Sequence, residues 1–487
     1  MKSEVRIYER ENREIQKVQV VSWEDWSQLD FLWLKQQTVQ EQKQALDCFH
    51  HIYKNFLVPT MPILFAQMVM FALPEDMQSK LMESVQDENA CYNSKKYGAV
   101  SDPLIVASII LQEGVRLKKG EPIFLNKQAE QLYRELEARG FVHIVCGKLS
   151  QTKIIPVGRF AGYLSEVEKD AKIKANANFF IMDPFDCATI YDQVGTPFGL
   201  CVKDGVVKNP PLFGREALLV KKDDSIKISE LDLRDLEIEI NGVKYVHGKN
   251  ATIYTRPERA KSPSIEGNCI VIVGNRVVAI AEGGPVEIPT SGFVLRVDKD
   301  SVVETRTLPN GQPMKKCVFC ENPSKYVPVE LGDEVIYHGM EDVQFGIQVG
   351  NSIIREGVKT ECFISQFYNI KKLQPVPYPP SLYPMDFKGA RAARMAIGAD
   401  ADGKPVLFWA EGKGKLSYTP GEDSTGASLS EMAEIAADLG LRNAVNLDGG
   451  GSAQILVEGA RHLHISDRKL EDNSDAERLV PFGLVVR

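Results

Sequence analysis

The chain has 487 residues, of which 44% are hydrophobic and 25% are charged, so it can form a sizeable core and is not a wholly disordered chain. Lys and Arg total 58 against 66 Asp and Glu, and the formal net charge of -8 excludes a chain-wide basic surface for nucleic acid. At roughly 100–200 residues per domain, the length leaves room for two to four domains.

The N-terminus and the cysteines bear on location. The segment 1–17 is charged throughout and lacks the apolar stretch of a secretory signal. The longest apolar stretch, 57–73, contains Pro59 and Pro62 and is shorter than the ~20 residues that span a bilayer, so we expect no membrane span. Nine cysteines without a framework spacing indicate reduced thiols. We therefore expect a cytoplasmic protein, in the producing cell or, after delivery without a signal peptide, in a host cytosol.

Residues 1–150 are rich in Gln, Leu, Met and Lys, and we predict a mainly α-helical region here. The clearest helix covers 129–139 (AEQLYRELEAR), which carries leucines at helical spacing and is followed by Gly140. The apolar run 141–146 then indicates a strand. No motif identifies a role or a protein partner for this region.

Short β-branched strands alternate with Gly and Pro turns after residue 150. The runs 269–273 and 277–281 flank Gly274-Asn275 and predict a β-hairpin. Ser428 and Glu431 have the spacing of a capping box, which predicts a helix that ends before Gly440. The next run, 443–447, predicts a strand.

These patterns predict two parts and an α+β fold. Residues 151–487 form a strand-rich mixed α/β domain, and the mainly helical residues 1–150 precede it. No internal repeat or low-complexity tract divides the chain further.

The most specific segment is 446–452, Asn-Leu-Asp-Gly-Gly-Gly-Ser. An apolar strand brings Asp448 to its end, where the carboxylate can act as nucleophile, base or metal ligand. Three consecutive glycines suit a close approach to the backbone, and successive N–H groups in such a turn bind anions. The alternative interpretation is a tight turn with a solvated aspartate.

Two other segments carry candidate binding groups. Arg391 and Arg394 precede a strand, and a guanidinium binds phosphate oxygens bidentately, although surface ion pairing is the usual role of a lone arginine. The segment from Asn176 to Phe180 joins amides to two aromatic rings, which suits the polar edge and apolar face of a sugar. A turn that enters a core strand is the alternative there.

Cys317 and Cys320 form a C-x-x-C pair without a second ligand pair at zinc-site spacing. We therefore expect buried thiols and no zinc. The sequence predicts no cofactor, and it leaves a divalent metal open.

The chain resembles the phosphodiester glycosidase family over about residues 151–487. The matching segments, in family order, are 176–180, 197–200, Asp204-Gly205, 288–295, 394–398, Glu411-Gly412, 426–429 and 446–452.

This resemblance implies a hydrolase that cleaves a sugar-1-phosphodiester at the glycosidic C–O bond. It implies catalytic roles for Asp448, Arg394 and Glu411, with Glu282 as a weaker alternative to Glu411. The implied substrate-binding residues are Asn176, Phe180, Thr425, Gly449, Gly450, Gly451 and Ser452.

The implied partner is a sugar phosphate or a glycan, with no nucleic acid. A phosphoglycan or nucleotide-sugar binding module, and a phosphodiesterase that cleaves the P–O bond, are the alternative functions.

Overall fold

The computed structural model describes residues 1–34, 163–180, 198–212, 214–257, 268–282, 291–297, 329–361, 390–413, 418–468, 474–478 and 480–487, and shorter pieces between 92 and 156 and between 262 and 289. Strands predominate throughout this described part. The described residues contain two α-helices with defined bounds, α1 (Lys127–Ala138) and α2 (Leu429–Asp438). Neither they nor any other described helix has the length and apolar character to cross a membrane.

The largest sheet has seven strands, and each pairs antiparallel with its neighbours. In spatial order they are β1 (Lys2–Glu9), β2 (Ile15–Ser22), β26 (Pro405–Ala410), β25 (Arg394–Asp400), β27 (Leu441–Leu447), β23 (Ser352–Arg355) and β24 (Val358–Lys359).

A second sheet of four antiparallel strands also draws on both ends of the chain. Its order is β28 (Ile455–Val457), β10 (Ile173–Asn176), β29 (Phe482–Val486) and β3 (Leu29–Trp33).

The middle of the chain forms three further antiparallel sheets. The first has the order β12 (Val206–Asn209), β11 (Cys201–Lys203), β22 (Val343–Gln348), β13 (Arg215–Lys221) and β14 (Ile226–Leu231). The second has the order β16 (Val243–Val246), β15 (Glu237–Ile240) and β21 (Val335–His338). The third has the order β17 (Ala251–Tyr254), β20 (Phe293–Val297), β18 (Asn268–Val273) and β19 (Arg276–Glu282).

Three two-stranded pairs lie between residues 92 and 156. They are β4 (Tyr92–Ser94) with β5 (Gly98–Val100), β6 (Val115–Lys118) with β7 (Glu121–Phe124), and β8 (Val142–Val145) with β9 (Lys153–Pro156).

The prediction of a mainly helical N-terminal region is wrong, because the described residues before 157 are mostly strands. Residues 1–34 form β1, β2 and β3, which pair with each other or with strands near the opposite end of the chain. Their sequence is rich in Glu, Arg and Gln, which favour helices locally, but pairing with distant apolar strands outweighs that preference. The helix predicted over 129–139 is confirmed as α1.

The seven-stranded sheet is buried on both faces. On one face Val18 and Phe408 pack against Met432 and other side chains of α2. On the other face Trp409 and Leu447 belong to the large core that the smaller sheets share. Since the central strands are covered on both sides, their apolar residues run almost without interruption rather than alternating with polar ones.

Helix α2 has the predicted capping box. The Ser428 hydroxyl accepts the Glu431 N–H at 3.2 Å, and the Glu431 carboxylate accepts the Ser428 N–H at 2.8 Å. Gly440 follows the helix with a φ of 73°, which suits its place after the C-cap. The predicted hairpin around Gly274-Asn275 is confirmed as β18 and β19.

A row of stacked aromatic rings ties the N-terminus to the core. The ring centroids of Trp26 and Phe345 are 5.6 Å apart, those of Phe345 and Phe31 are 5.1 Å apart, and those of Phe31 and Phe482 are 5.5 Å apart. The predicted domain boundary at residue 150 stays a prediction. However, a fragment that begins at residue 151 would lack β1 and β2 of the seven-stranded sheet and β3 of the four-stranded sheet that contains β29.

We predict that removal of residues 1–34 prevents the chain from folding cooperatively and makes it aggregate. The deletion takes away several buried apolar side chains, each worth about 1.5–3 kcal/mol, against a net stability of about 5–15 kcal/mol. It also exposes the edges of β26 and β29. Size-exclusion chromatography and a melting curve of the shortened chain test this. The control is removal of residues 1–10, which takes off only the outer strand β1. A cooperative melting curve for the fragment 35–487, with no aggregate in size-exclusion chromatography, would contradict the prediction.

Candidate active site

Three strand ends meet at one edge of the seven-stranded sheet. Strand β25 begins at Arg394, and its antiparallel neighbours end at Ala410 and at Leu447. The register pairs Arg394 with Ala410 and Met395 with Leu447. Glu411 and Asp448 are the residues that follow those two ends, so all three predicted catalytic residues come to the same edge.

The two sides of the sheet separate these residues further. Ala396, Phe408 and Ala410 face α2, whereas Met395, Trp409 and Leu447 face the large core. Because side chains alternate along a strand, Arg394 lies on the α2 side and Glu411 on the core side of the same edge. Glu411 therefore approaches the edge from the side opposite to Arg394.

The Arg394 guanidinium is held by backbone carbonyls. Its Nε donates to the Ala427 oxygen at 3.3 Å, and a terminal nitrogen donates to the Ala390 oxygen at 3.1 Å. The residue is 5% exposed. These two bonds restrict the orientation of the guanidinium. A planar cation held in this way is well suited to bind a planar array of oxygens.

Asn176 positions the loop that carries Asp448. Its side-chain Nδ2 donates to the Asp448 carbonyl oxygen at 3.0 Å, and its Oδ1 accepts the Gln454 N–H at 3.0 Å. The Asp448 N–H in turn donates to the Ala177 oxygen at 2.8 Å. Both polar atoms of the buried Asn176 amide thus make hydrogen bonds that fix the loop carrying Asp448, and its predicted contact with substrate stays a prediction.

The glycine loop is built on close contacts. A side chain at Gly449 would lie 2.6 Å from the Ala393 oxygen, which also accepts the Gly450 N–H at 2.9 Å. Gly450 has a φ of 61°. The three glycine N–H groups were predicted to bind a phosphate. The Gly450 N–H is not available for this, because it already donates to the Ala393 oxygen.

An ion pair that the sequence did not point to packs against Gly451. Arg478 donates to both carboxylate oxygens of Asp467, at 2.8 and 3.1 Å, and lies 3.4 Å from the Ser452 hydroxyl. A side chain at Gly451 would overlap both partners of the pair. Neither residue lies in a recognisable motif, and only the fold brings them to the loop.

Glu411 is 5% exposed, and burial raises the pKa of its carboxyl group. Lys17, the backbone N–H of His464, and the charges of His464 and Arg468 oppose that shift. The His464 N–H lies 3.4 Å from Oε2 of Glu411. A carboxyl that keeps its proton to a higher pH than usual can donate it, which is the property of a general acid.

Arg391, the other predicted arginine, is engaged in a network at the surface of the site. It pairs with Glu14 and with Glu431, and it donates to the Thr425 hydroxyl at 3.0 Å. The hydrogen bonds to Glu431 and Glu14 raise the pKa of Arg391. Thr425 is therefore near the site, but its hydroxyl already accepts a hydrogen bond from the protein.

Phe180 and Ser452 are both buried. Phe180 packs in a small apolar cluster with Leu164, Leu456 and Val480. The ring is therefore part of an apolar core cluster, and its predicted contact with a sugar stays a prediction. Ser452 is 1% exposed and contacts Arg478, so it links the glycine loop to the ion pair.

The described residues contain no group of three or more His, Cys, Asp or Glu side chains placed to hold a metal ion. Cys317 and Cys320 lie outside the described residues, so the absence of zinc from this pair stays a prediction. The two cysteines that the structure does describe, Cys201 and Cys269, are buried thiols, and burial raises the pKa of both.

Residues 267–487 match the family model described as phosphodiester glycosidase. The resemblance seen in the sequence is confirmed for this region, which contains Arg394, Glu411 and Asp448. Curated relatives match over a shorter stretch. The N-acetylglucosamine-1-phosphodiester alpha-N-acetylglucosaminidases of Mus musculus and Homo sapiens are 37% and 39% identical over 87 residues. That stretch is 18% of this chain and 15% of each relative.

Three solved structures are similar at lower identity. A hypothetical protein from Synechocystis is 19% identical, with a TM-score of 0.38 over 67% of this chain and 54% of that one. A putative exported protein from Burkholderia pseudomallei is 17% identical, with a TM-score of 0.38 over 71% of both chains. The catalytic domain of the zebrafish N-acetylglucosamine-1-phosphodiester alpha-N-acetylglucosaminidase is 15% identical, with a TM-score of 0.22 over 56% of this chain and 81% of that one.

We predict that Gly451→Ala disrupts the site. The new methyl group must displace Asp467 or Arg478, and such overpacking costs about 1–3 kcal/mol. Melting curves and binding of a sugar-1-phosphodiester measure the effect. Gly440→Ala is the control, because its added methyl meets nothing within 4 Å, although its positive φ carries a cost of its own. Equal binding by the two variants would show that the ion pair does not shape the site.

Proposed function

We propose that the chain hydrolyses a sugar-1-phosphodiester at the glycosidic C–O bond. Water supplies the new oxygen at the anomeric carbon, and the electrons of the broken bond stay with the phosphate oxygen. The products are a free sugar and a phosphomonoester. The family match over 267–487 supports this reaction class, and the names of the curated relatives make an N-acetylglucosamine-1-phosphodiester the first substrate to try.

The observation that carries the proposal is the placement of Arg394 beside the start of the Asp448 loop. Strands β25 and β27 are paired, so the residue before Met395 and the residue after Leu447 are neighbours across the ladder. The residues that carry the cation and the carboxylate are therefore neighbours along the paired backbones, next to three glycines. A phosphodiester needs this combination, with charge stabilisation for the phosphate and a carboxylate for the sugar carbon.

The leaving group determines how much general-acid catalysis the reaction needs. A phosphomonoester has a second pKa of about 6, so it departs readily near neutral pH. The larger requirement is to hold the anionic charge as it develops, which a fixed cation does well in a site with little water. We assign that role to Arg394.

The two carboxylates have different surroundings and so different proposed roles. Asp448 lies on the loop beside Arg394, and we assign it to the anomeric carbon, as nucleophile or as the base that orients water. Glu411 is buried, and the raised pKa of its carboxyl fits the donation of a proton to the departing oxygen. Two carboxyl groups with unlike environments are the usual arrangement for glycoside cleavage.

We predict that Asp448→Asn lowers kcat on a sugar-1-phosphodiester by about a thousandfold or more, since the amide can neither attack nor accept a proton. The shape of the side chain is nearly unchanged, so the melting temperature should stay close to that of the wild type. Asp402→Asn, in the exposed turn between β25 and β26, is the matched control. Near-full activity of Asp448→Asn would show that this loop is not the reaction centre.

The same substrate in water enriched in oxygen-18 identifies the bond that breaks. Label in the released sugar means C–O cleavage and supports the proposal. Label in the phosphate means P–O cleavage and would make the chain a phosphodiesterase. Saturable binding without turnover across a panel of sugar-1-phosphodiesters would make it a binding module.

We predict that Arg394→Lys lowers kcat/KM by about a hundredfold or more. An ammonium cannot make the planar two-pronged contact, and it loses the bonds to Ala427 and Ala390. Arg442→Lys is the control, because Arg442 is exposed on β27 and pairs with Glu356. Equal kcat/KM for the two variants would remove Arg394 from the mechanism.

A further inference from the structure

The N-terminal hairpin, formed by β1 and β2, reaches the proposed active site. Strand β2 pairs antiparallel with β26, and the register sets Val18 opposite Ala410. One step further, the Glu411 N–H donates to the Lys17 carbonyl oxygen at 2.9 Å. Residues opposite each other in an antiparallel pair project their side chains on the same face, so Lys17 and Glu411 share the core side of the sheet edge.

The strand pair is locked to the segment before α2. The Ser424 hydroxyl donates to the Glu411 carbonyl oxygen at 2.6 Å and accepts the Lys17 N–H at 3.2 Å. The Thr425 N–H donates to the Ile15 oxygen at 2.9 Å, and the Gln16 side chain donates to the Gly426 oxygen at 2.8 Å. These bonds fix the backbone of Lys17 relative to Glu411.

Among the basic groups around Glu411, Lys17 differs in having no carboxylate partner at ion-pair distance in the described part of the chain. The other basic groups that act on this carboxyl are His464 and Arg468. Both are engaged by Asp475, which lies 3.1 Å from Nδ1 of His464 and forms an ion pair with Arg468. Within the described part of the chain, no carboxylate lies at ion-pair distance from the half-buried Lys17. Its charge is the largest of the effects that oppose the raised pKa of Glu411.

We propose that Lys17 is a positioning residue of the active site: the N-terminal hairpin completes the site by holding an ammonium charge beside the Glu411 carboxyl. Lys17 lies far outside the region 267–487 that matches the family model. Its role in catalysis rests on the proposed function, whereas its effect on the ionisation of Glu411 does not.

The sign of the effect follows from the charge. A nearby ammonium favours the ionised carboxylate and lowers its pKa, so removal of the ammonium raises the pKa of Glu411 further. If Glu411 acts as an acid, the alkaline limb of the kcat/KM profile moves to higher pH. If it acts as a base or nucleophile, the acidic limb moves to higher pH. Either way, the limb that belongs to Glu411 moves upward.

The experiment measures the ionisation directly. Full-length protein labelled with carbon-13 at the glutamate carboxyl is titrated by NMR, and the resonance lost in Glu411→Gln is assigned to Glu411. Lys17→Met should raise the midpoint by roughly 0.5–1 pH unit, whereas Lys17→Arg should leave it close to the wild type. Lys404→Met is the matched control, because Lys404 pairs with Glu24 in the exposed turn between β25 and β26.

An unchanged midpoint in folded Lys17→Met overturns the proposal, whether or not the protein is active. If the methionine variant does not fold, Lys17→Gln is titrated against Lys17→Arg by the same criterion. An upward shift in a protein that turns over no phosphodiester supports the effect of the Lys17 charge on Glu411 and refutes the proposed reaction, so the two failures are distinguishable. In an active protein, the pH profile must move in the same direction.

Discussion

The whole site depends on the central position of β25 between β26 and β27. Because β25 runs antiparallel to both, its first residue lies beside the last residues of its neighbours, and Arg394, Glu411 and Asp448 come to one edge. The close packing of the three backbones also explains Gly398 in β25, whose added side chain would lie 2.5 Å from the Ala444 methyl. A slip of one residue would turn Arg394 into the core, so the apolar faces that bury these strands also fix the site.

The N-terminal strands make this edge complete. β2 covers the open side of β26, and the Gln16 amide and the Ser424 hydroxyl tie it to the segment that leads into α2. The family match starts at residue 267, so these contributions come from a part of the chain that the family model does not include. Residues 1–34 belong structurally to the sheets of the proposed site, although most of the chain separates the two in sequence.

What the sequence predicted well was local. The capping box of Ser428 and Glu431 and the strand before Asp448 are encoded by neighbouring residues, and both are confirmed. Pairing between β2 and β26 is not local, so neighbouring residues do not predict it. The strand also buries the polar Gln16 and Gln19, and these interrupt the apolar pattern by which a buried strand is recognised. Asp467 and Arg478 carried no signal either, since only the fold brings them to Gly451. The hydrogen bonds from the Asn176 amide to the backbone of the Asp448 loop are also non-local, and no motif predicts them.

Glu411 is hard to explain by stability alone. Burial raises the pKa of its carboxyl, so the folded chain binds this proton more tightly than the unfolded chain. By linkage, its contribution to stability is fully present below the unfolded pKa and is lost as pH rises through the folded pKa. In the described part of the chain, no Lys or Arg reaches the carboxylate at ion-pair distance, and an apolar side chain would carry no such cost. A buried carboxyl at the edge where Arg394 and Asp448 meet therefore agrees with its proposed role as an acid, and the Lys17 charge opposes the rise in its pKa that burial causes.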